Sequence, residues 1–82
     1  MALWRIDRCK AEAGYRSNTS IHKLIREGLW PKAVPIGQRS VGWPDYEIEA
    51  ICLARIAGQK DEDIKELVNR LHLKRSELYA QF

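Results

Sequence analysis

The chain has 82 residues, of which 45% are hydrophobic and 30% charged, and its formal net charge is +3. This length accommodates one domain, or one domain with a helical tail, and the composition is that of a folded protein rather than a disordered one. No apolar run reaches the roughly 18 residues of a membrane-spanning helix, and the charged N-terminus does not resemble a signal peptide. We therefore expect no membrane contact and a cytoplasmic location.

The charge is unevenly distributed along the chain. Residues 1–43 carry eight basic and three acidic side chains, a net charge of +5, whereas residues 44–82 carry six basic and eight acidic side chains, a net charge of −2. This asymmetry predicts that the first half is the part that meets a polyanion.

Two short helices are predicted first. Ile6, Cys9 and Ala13 recur at spacings of three and four, and Gly14 follows them as a stop signal. After a short turn, Ser17 is a good N-cap, because its hydroxyl accepts backbone hydrogen bonds from the next turn. Two helices joined by such a glycine-containing turn are typical of a helix-turn-helix.

The second helix has an apolar and a polar face. Ile21, Leu24 and Ile25 form the apolar stripe, and the helix is expected to end at Glu27 with Gly28 as a left-handed C-cap. The outer face carries side chains of the types that pair with base edges and phosphates, namely Asn18, Thr19, His22, Lys23 and Arg26. A merely solvated face would normally include acidic residues, so this face is predicted to contact DNA.

A β-hairpin is predicted after this helix. Pro31 prevents the helix from continuing, and Lys32 in the exit is added to the predicted DNA contacts. Short alternating patterns at residues 34–36 and 41–43 flank a polar tip, with Pro35 confined to an edge. A hairpin in this position is a wing, and its tip residues suit contact with phosphate or the minor groove: Gln38, Arg39 and Ser40.

Two further helices complete the prediction. The third begins with Asp45 as its N-cap, has an apolar stripe and closes at Gly58; the stripe consists of Ile48, Ile51, Cys52 and Ile56. The fourth begins near Asp61, and residues 74–82 either extend it or form a separate short helix. Its apolar face consists of Ile64, Leu67, Val68 and Leu71. The near-heptad stripe along this helix either packs back on the domain or forms a dimer seam: Ile64, Leu67, Leu71 and Leu78. We divide the chain into a DNA-binding domain (1–58) and a helical tail (59–82).

The central part of the sequence resembles the AlpA family of phage and prophage regulators. Residues 20–32 read SIHKLIREGLWPK, similar to the family's T-I-Y-R-L-I-K-E-G-x-F-P-K pattern. VPIG at 34–37 and RSVGW at 39–43 are similar to its V-x-L-G-x-R-S-V-G-W segment, and EIEA at 47–50 to its next helix. The turn before residue 20 is one residue longer than the family's, and Ile51 replaces a usual tryptophan.

This resemblance implies a MerR-like winged helix-turn-helix and kinship with excisionases. The family's recognition surface falls on the predicted contacts, namely Ser17, Asn18, Thr19, His22, Lys23, Arg26, Gln38, Arg39 and Ser40. The fold class predicted is mainly α with a small β-hairpin wing. The expected partner is double-stranded DNA, with homodimerisation through the C-terminal helix and a recombinase partner left open.

Three functions are compared. A sequence-specific transcriptional regulator is favoured over an excisionase-like DNA-bending factor, and both over an adaptor, such as a phage packaging subunit. An adaptor would use exposed aromatic side chains, namely Trp4, Trp30 and Tyr79, as partner anchors. No catalytic constellation appears, so an enzyme and a cofactor are not expected. The two cysteines and two histidines lack metal-ligand spacing, so buried free thiols are expected rather than zinc.

Overall fold

The computed structural model describes residues 1–82 and contains four helices and three short strands. In chain order these are β1 (Leu3–Trp4), α1 (Ile6–Ala13), α2 (Asn18–Arg26), β2 (Val34–Pro35), β3 (Val41–Pro44), α3 (Asp45–Ile56) and α4 (Asp61–Tyr79). The predicted winged helix-turn-helix with a C-terminal helix is confirmed. None of the four helices combines the length and apolar character needed to span a membrane.

The ends of α2 follow the local sequence signals. Ser17 is its N-cap and accepts a hydrogen bond from the Ser20 amide at 3.2 Å. At the other end Gly28 has φ 78°, and the Leu29 amide donates to the Leu24 carbonyl at 2.9 Å. This closure requires a left-handed residue, which glycine adopts without strain, and it turns the chain sharply towards the wing.

The three strands form one antiparallel sheet in the order β1-β3-β2. The predicted wing is the β2–β3 hairpin, in which Pro35 pairs with Val41 and the Ile36 amide donates to the Ser40 carbonyl at 2.9 Å. Because β2 is an edge strand, Pro35 can lie in it although it lacks an amide hydrogen.

The sequence analysis did not predict strand β1. Two residues are too short to show an alternating pattern, and β1 exists only because it pairs with β3. This pairing is close: a Cβ at Gly42 would lie 3.0 Å from the Trp4 carbonyl oxygen. Glycine at this position therefore allows the N-terminal strand to approach the wing.

One hydrophobic core joins all four helices and the sheet. Its buried members are Cys9, Ile21, Leu29, Trp30, Trp43, Ile48, Ile51, Ile64, Val68 and Leu71. Three of them lie on α4, which continues without a break through residue 79. The stripe on α4 thus packs back on the domain, and the functional division at residue 58 stays a prediction.

Two predicted positions on α3 need correction. Pro44 occupies the N-cap position and Asp45 is the first helical residue, where its carboxylate accepts from the Tyr46 amide at 2.7 Å and from the Ala2 amide at 3.0 Å. The carboxylate therefore ties the N-terminus to α3. Ile56 was expected in the apolar stripe but is 80% exposed, because only the first two turns of α3 are covered on that face.

The expectation that Trp30 is exposed is also wrong. Its side chain is only 1% exposed, and its ring forms a T-shaped pair with the Tyr15 ring, with centroids 6.1 Å apart. Trp30 is a core residue because the chain turns inwards directly after Gly28. Tyr79, in contrast, is exposed, and Trp4 is half-buried.

Candidate nucleic-acid interface

The outer face of α2 is a continuous polar surface. Successive residues of an α-helix are rotated by about 100°, which places five side chains within less than half a turn of the helix circumference. All five are exposed, whereas Ile21 on the opposite side is fully buried. We call this surface the contact face: Asn18, Thr19, His22, Lys23 and Arg26.

The charged groups of the contact face have no partner within the molecule. The chain has four ion pairs, and neither Lys23 nor Arg26 takes part in any of them. Glu27, at the end of α2, is exposed and is not within ion-pairing distance of either cation. Two cations on an exposed helix face without a neutralising carboxylate form a local positive patch, which attracts an anionic ligand.

Ser17 differs from the other predicted contacts. Its hydroxyl accepts from the Ser20 amide and lies 3.1 Å from the Ser20 hydroxyl. The side chain is exposed, but its hydroxyl is already hydrogen-bonded as the N-cap of α2. The structure therefore gives Ser17 a role in folding, and a DNA contact by Ser17 stays a prediction.

The wing tip presents a second set of polar side chains. Gln38 and Arg39 are exposed, and neither side chain has a hydrogen bond or ion pair within the chain. Ser40 is half-buried, and its carbonyl closes the hairpin by accepting from Ile36. Arg39 is thus a guanidinium at the end of a protruding loop, free to bind an external acceptor.

Lys32 is exposed, and its backbone is held by α4. Its amide donates to His72 Nε2 at 3.0 Å, and its carbonyl accepts from Arg75 Nη2 at 2.7 Å. Arg75 also donates two hydrogen bonds to the carboxylate of Glu47 on α3, at 2.7 and 2.6 Å. We call this group the clamp: Glu47, His72, Arg75 and the backbone of Lys32.

The electrostatics of the clamp differ from those of the contact face. Glu47 is fully buried, and the Arg75 guanidinium compensates its carboxylate through two parallel hydrogen bonds. Burial, followed by the nearby cations Arg75 and Lys32, lowers the pKa of His72 below its ordinary value of 6.5. His72 is therefore neutral at neutral pH and can accept the Lys32 hydrogen bond.

The residues before the wing have one more anchor. The indole Nε1 of Trp43 donates to the Pro31 carbonyl at 2.8 Å inside the protein. We call residues 30–32 the exit segment. Hydrogen bonds from both the wing and α4 therefore hold the backbone that links α2 to the wing.

The clamp was not predicted from the sequence, where Glu47 appears only in the EIEA motif and His72 and Arg75 have no assigned role. A signal was present: Arg75 lies four residues after Leu71 and continues the buried face of α4, while Glu47 lies four residues before Ile51 and shares the predicted apolar face of α3. Opposite charges on two predicted core faces indicate a buried ion pair, but only the tertiary structure shows that the two faces meet.

The two cysteines of the chain are free thiols. Cys9 is buried and Cys52 half-buried, both are free, and no three His, Cys, Asp or Glu side chains come together as a set able to hold a metal ion. Burial, and next the neighbouring Cys52, raises the pKa of Cys9 to about 11, so this thiol stays protonated at neutral pH.

Comparison with known proteins connects this geometry to a family. Residues 15–51 match the sequence model of the prophage CP4-57 regulatory protein (AlpA) family. Residues 15–51 are therefore an AlpA-type segment. A protein of Enterobacteria phage P4, described as uncharacterized protein ORF88, is 41% identical over 44 residues, which cover 54% of this chain and 50% of that protein. No solved structure matches the chain.

The AlpA-type segment contains every predicted contact residue. It extends from the turn before α2 through the wing to the middle of α3. Its match to the family model confirms the resemblance noted in the sequence. His72 and Arg75 lie outside it, so part of the clamp belongs to this chain's own C-terminal helix.

Proposed function

We propose that this chain is a sequence-specific, double-stranded DNA-binding transcriptional regulator of the phage and prophage type. The observation that carries the proposal is the contact face, an exposed set of hydrogen-bonding and cationic side chains with no partner inside the molecule. In this proposal α2 enters the major groove, and the wing contacts the backbone or the minor groove.

The contact face divides into two groups by position. Asn18 and Thr19 lie in the first turn of α2, the part of a recognition helix that reaches base edges, and an asparagine amide pairs with adenine through two hydrogen bonds. Lys23 and Arg26 lie in the last turns, where cations bind phosphate oxygens and set the position of the helix. Arg39 supplies a second backbone or minor-groove contact from the wing.

Size favours the use of more than one copy on DNA. A single module of this kind buries about 600–1,000 Å² and binds weakly by itself, so useful specificity requires a dimer or several adjacent sites. The core side of α4 is already buried, and a homodimer through this helix has to use side chains that stay exposed, such as Leu73 and Tyr79.

Selection of bound sequences from random duplex DNA tests the proposal. We expect enrichment of a short motif, with affinity that falls steeply as salt rises because phosphate contacts release counterions. Arg26→Ala and Arg39→Ala are expected to weaken binding, and Arg70→Ala, an exposed arginine on α4, is the matched control. Binding that ignores sequence would contradict the regulator and leave an architectural DNA-bending factor or an adaptor.

A groove between α1 and α3 favours a second candidate, an excisionase-like factor that bends DNA and recruits a recombinase. Its apolar lining consists of Trp4, Cys52, Leu53 and Ile56, of which Leu53 is 65% exposed and Ile56 80% exposed. Large exposed aliphatic side chains next to a groove are typical of protein contact sites. Because the groove is also lined by the carboxylates Glu12 and Glu49, it suits a partner segment with both apolar and basic side chains.

Two measurements separate this candidate from the regulator. A circular-permutation assay at tandem sites reports a large bend for the excisionase-like factor and a small one for a simple regulator. Replacing Leu53 and Ile56 with serine should leave DNA affinity unchanged and remove recruitment of the protein partner. If the same replacement leaves recruitment of the protein partner unchanged, the groove gives the second candidate no support.

A further inference from the structure

The exit segment between α2 and the wing is held from outside the AlpA-type segment. His72 accepts from the Lys32 amide at 3.0 Å, and Arg75 donates to the Lys32 carbonyl at 2.7 Å. Both side chains belong to α4, while Lys32 is itself a candidate DNA contact at the base of the wing. The C-terminal helix thus contacts the backbone that sets the position of the wing.

The His72 contact depends on the protonation state of the ring. A neutral imidazole has one nitrogen with a free lone pair, and Nε2 uses it to accept the Lys32 amide hydrogen. Once the ring is protonated, both of its nitrogens are donors. Nε2 can then no longer accept a hydrogen bond, and the Lys32 amide loses its partner. The contact therefore exists only in the neutral form.

The surroundings disfavour the protonated ring. The charged groups that face His72 are Arg75 from its own helix, Lys32 from the exit segment and Glu47 from α3. Burial and the two cations oppose protonation, and Glu47, the one group that favours it, is already bound by Arg75. Protonation thus removes a hydrogen bond and adds a cation beside a guanidinium.

We propose that His72 is a positioning residue for the wing, and that protonation of its ring releases the Lys32 backbone and lowers the affinity of the chain for DNA. This inference rests on the proposed DNA-binding function. The direction of the pH effect follows because only the neutral ring accepts the Lys32 hydrogen bond. The contact is complete above the ordinary pKa of a histidine, and it is lost as the pH falls below the lowered pKa of His72. Arg75 and Trp43 keep their own bonds to the exit segment, so the release is partial.

The second histidine, His22, must be removed from the test, because it lies on the contact face and is itself a candidate DNA contact. The test therefore uses His22→Gln as the reference chain. His72→Gln is added to it for comparison, because the glutamine amide oxygen accepts the same hydrogen bond and does not titrate.

The experiment measures the affinity of both full-length chains for a short labelled duplex of random sequence at constant ionic strength. Between about pH 8 and about pH 5 the reference chain should lose affinity by about tenfold, the equivalent of one hydrogen bond. The chain that also carries His72→Gln should bind like the reference at the higher pH and change less than about twofold. His72→Leu, which has no acceptor, should bind weakly at every pH.

Amide NMR on the reference chain gives an independent readout that needs no DNA. The Lys32 amide shift should titrate together with the His72 ring protons, while the fold stays intact. A Lys32 shift that ignores the His72 titration, or parallel pH profiles for the two chains, overturns the inference. Failure of the unsubstituted chain, as well as both variants, to bind DNA at any pH overturns the proposed function and the effect on affinity, while the amide titration still decides whether His72 holds Lys32.

Discussion

Arg26 and Arg75 are the same residue type in two opposite situations. Arg26 lies on the contact face, exposed and without a carboxylate or carbonyl partner. Arg75 lies in the clamp, where it binds both oxygens of buried Glu47 and the carbonyl of Lys32. The difference shows that the number of basic residues does not by itself locate a DNA-binding surface.

The partners of a cation decide what it contributes. A guanidinium that already donates to a buried carboxylate stabilises the fold, and withdrawing it would leave an uncompensated charge in the core. A guanidinium without a partner contributes little to folding and keeps its donors for a ligand. The following predictions test this distinction.

The largest expected effect is that of Arg75→Met. It leaves the buried Glu47 carboxylate without a partner, so we expect the free energy of unfolding to fall by about 3 kcal/mol, a large share of the stability of a small domain. Urea unfolding of the full chain measures this, with Arg70→Ala as the control. The double variant Glu47→Leu, Arg75→Met should recover part of the loss, since no charge is then buried. A loss below about 1 kcal/mol for Arg75→Met would contradict the role given to the clamp.

The next effect concerns base recognition by Asn18. If its amide pairs with a base, Asn18→Ala should weaken binding to the selected DNA sequence by about 1–3 kcal/mol and relax the preference at one position. Binding to random DNA should change little. Asn69→Ala, an exposed asparagine on α4, is the control. Equal losses on selected and random DNA would assign Asn18 to the backbone instead.

A smaller effect is expected for Ser17→Ala. The variant removes the N-cap of α2, so the free energy of unfolding should fall by about 1 kcal/mol. Ser17→Thr should restore most of it because the hydroxyl is retained. DNA affinity, measured under conditions in which every variant is folded, should hardly change. An affinity loss without a stability loss would instead make Ser17 a DNA contact.

The smallest effect on stability is expected for Lys23→Ala and Arg26→Ala. Both side chains are exposed and unpaired, so the free energy of unfolding should change by no more than about 0.5 kcal/mol. Each variant should make the slope of log affinity against log salt shallower by about 0.9, the contribution of one phosphate contact. Arg70→Ala should leave the slope unchanged. If Arg70→Ala made the slope shallower by the same amount, net charge alone would drive binding.

The sequence by itself determined the local structure of the DNA-binding half. Spacing of Ile21, Leu24 and Ile25 placed α2, while Ser17 and Gly28 fixed its ends through capping, which depends on neighbouring residues only. The wing followed from alternation around a polar tip. The contact face was predictable for the same reason, because helix periodicity decides which side chains lie opposite an apolar stripe.

The tertiary structure alone decided the features that join distant parts of the chain. Strand β1 forms because it pairs with β3, where Gly42 leaves room for its close approach. Trp30 is buried because the chain turns inwards, and Glu47 binds Arg75, which lies 28 positions away in the sequence. These features depend on which faces pack together, and local patterns do not encode that. The outward face of α2 was therefore visible in the sequence, whereas the clamp that positions the wing beside it was not.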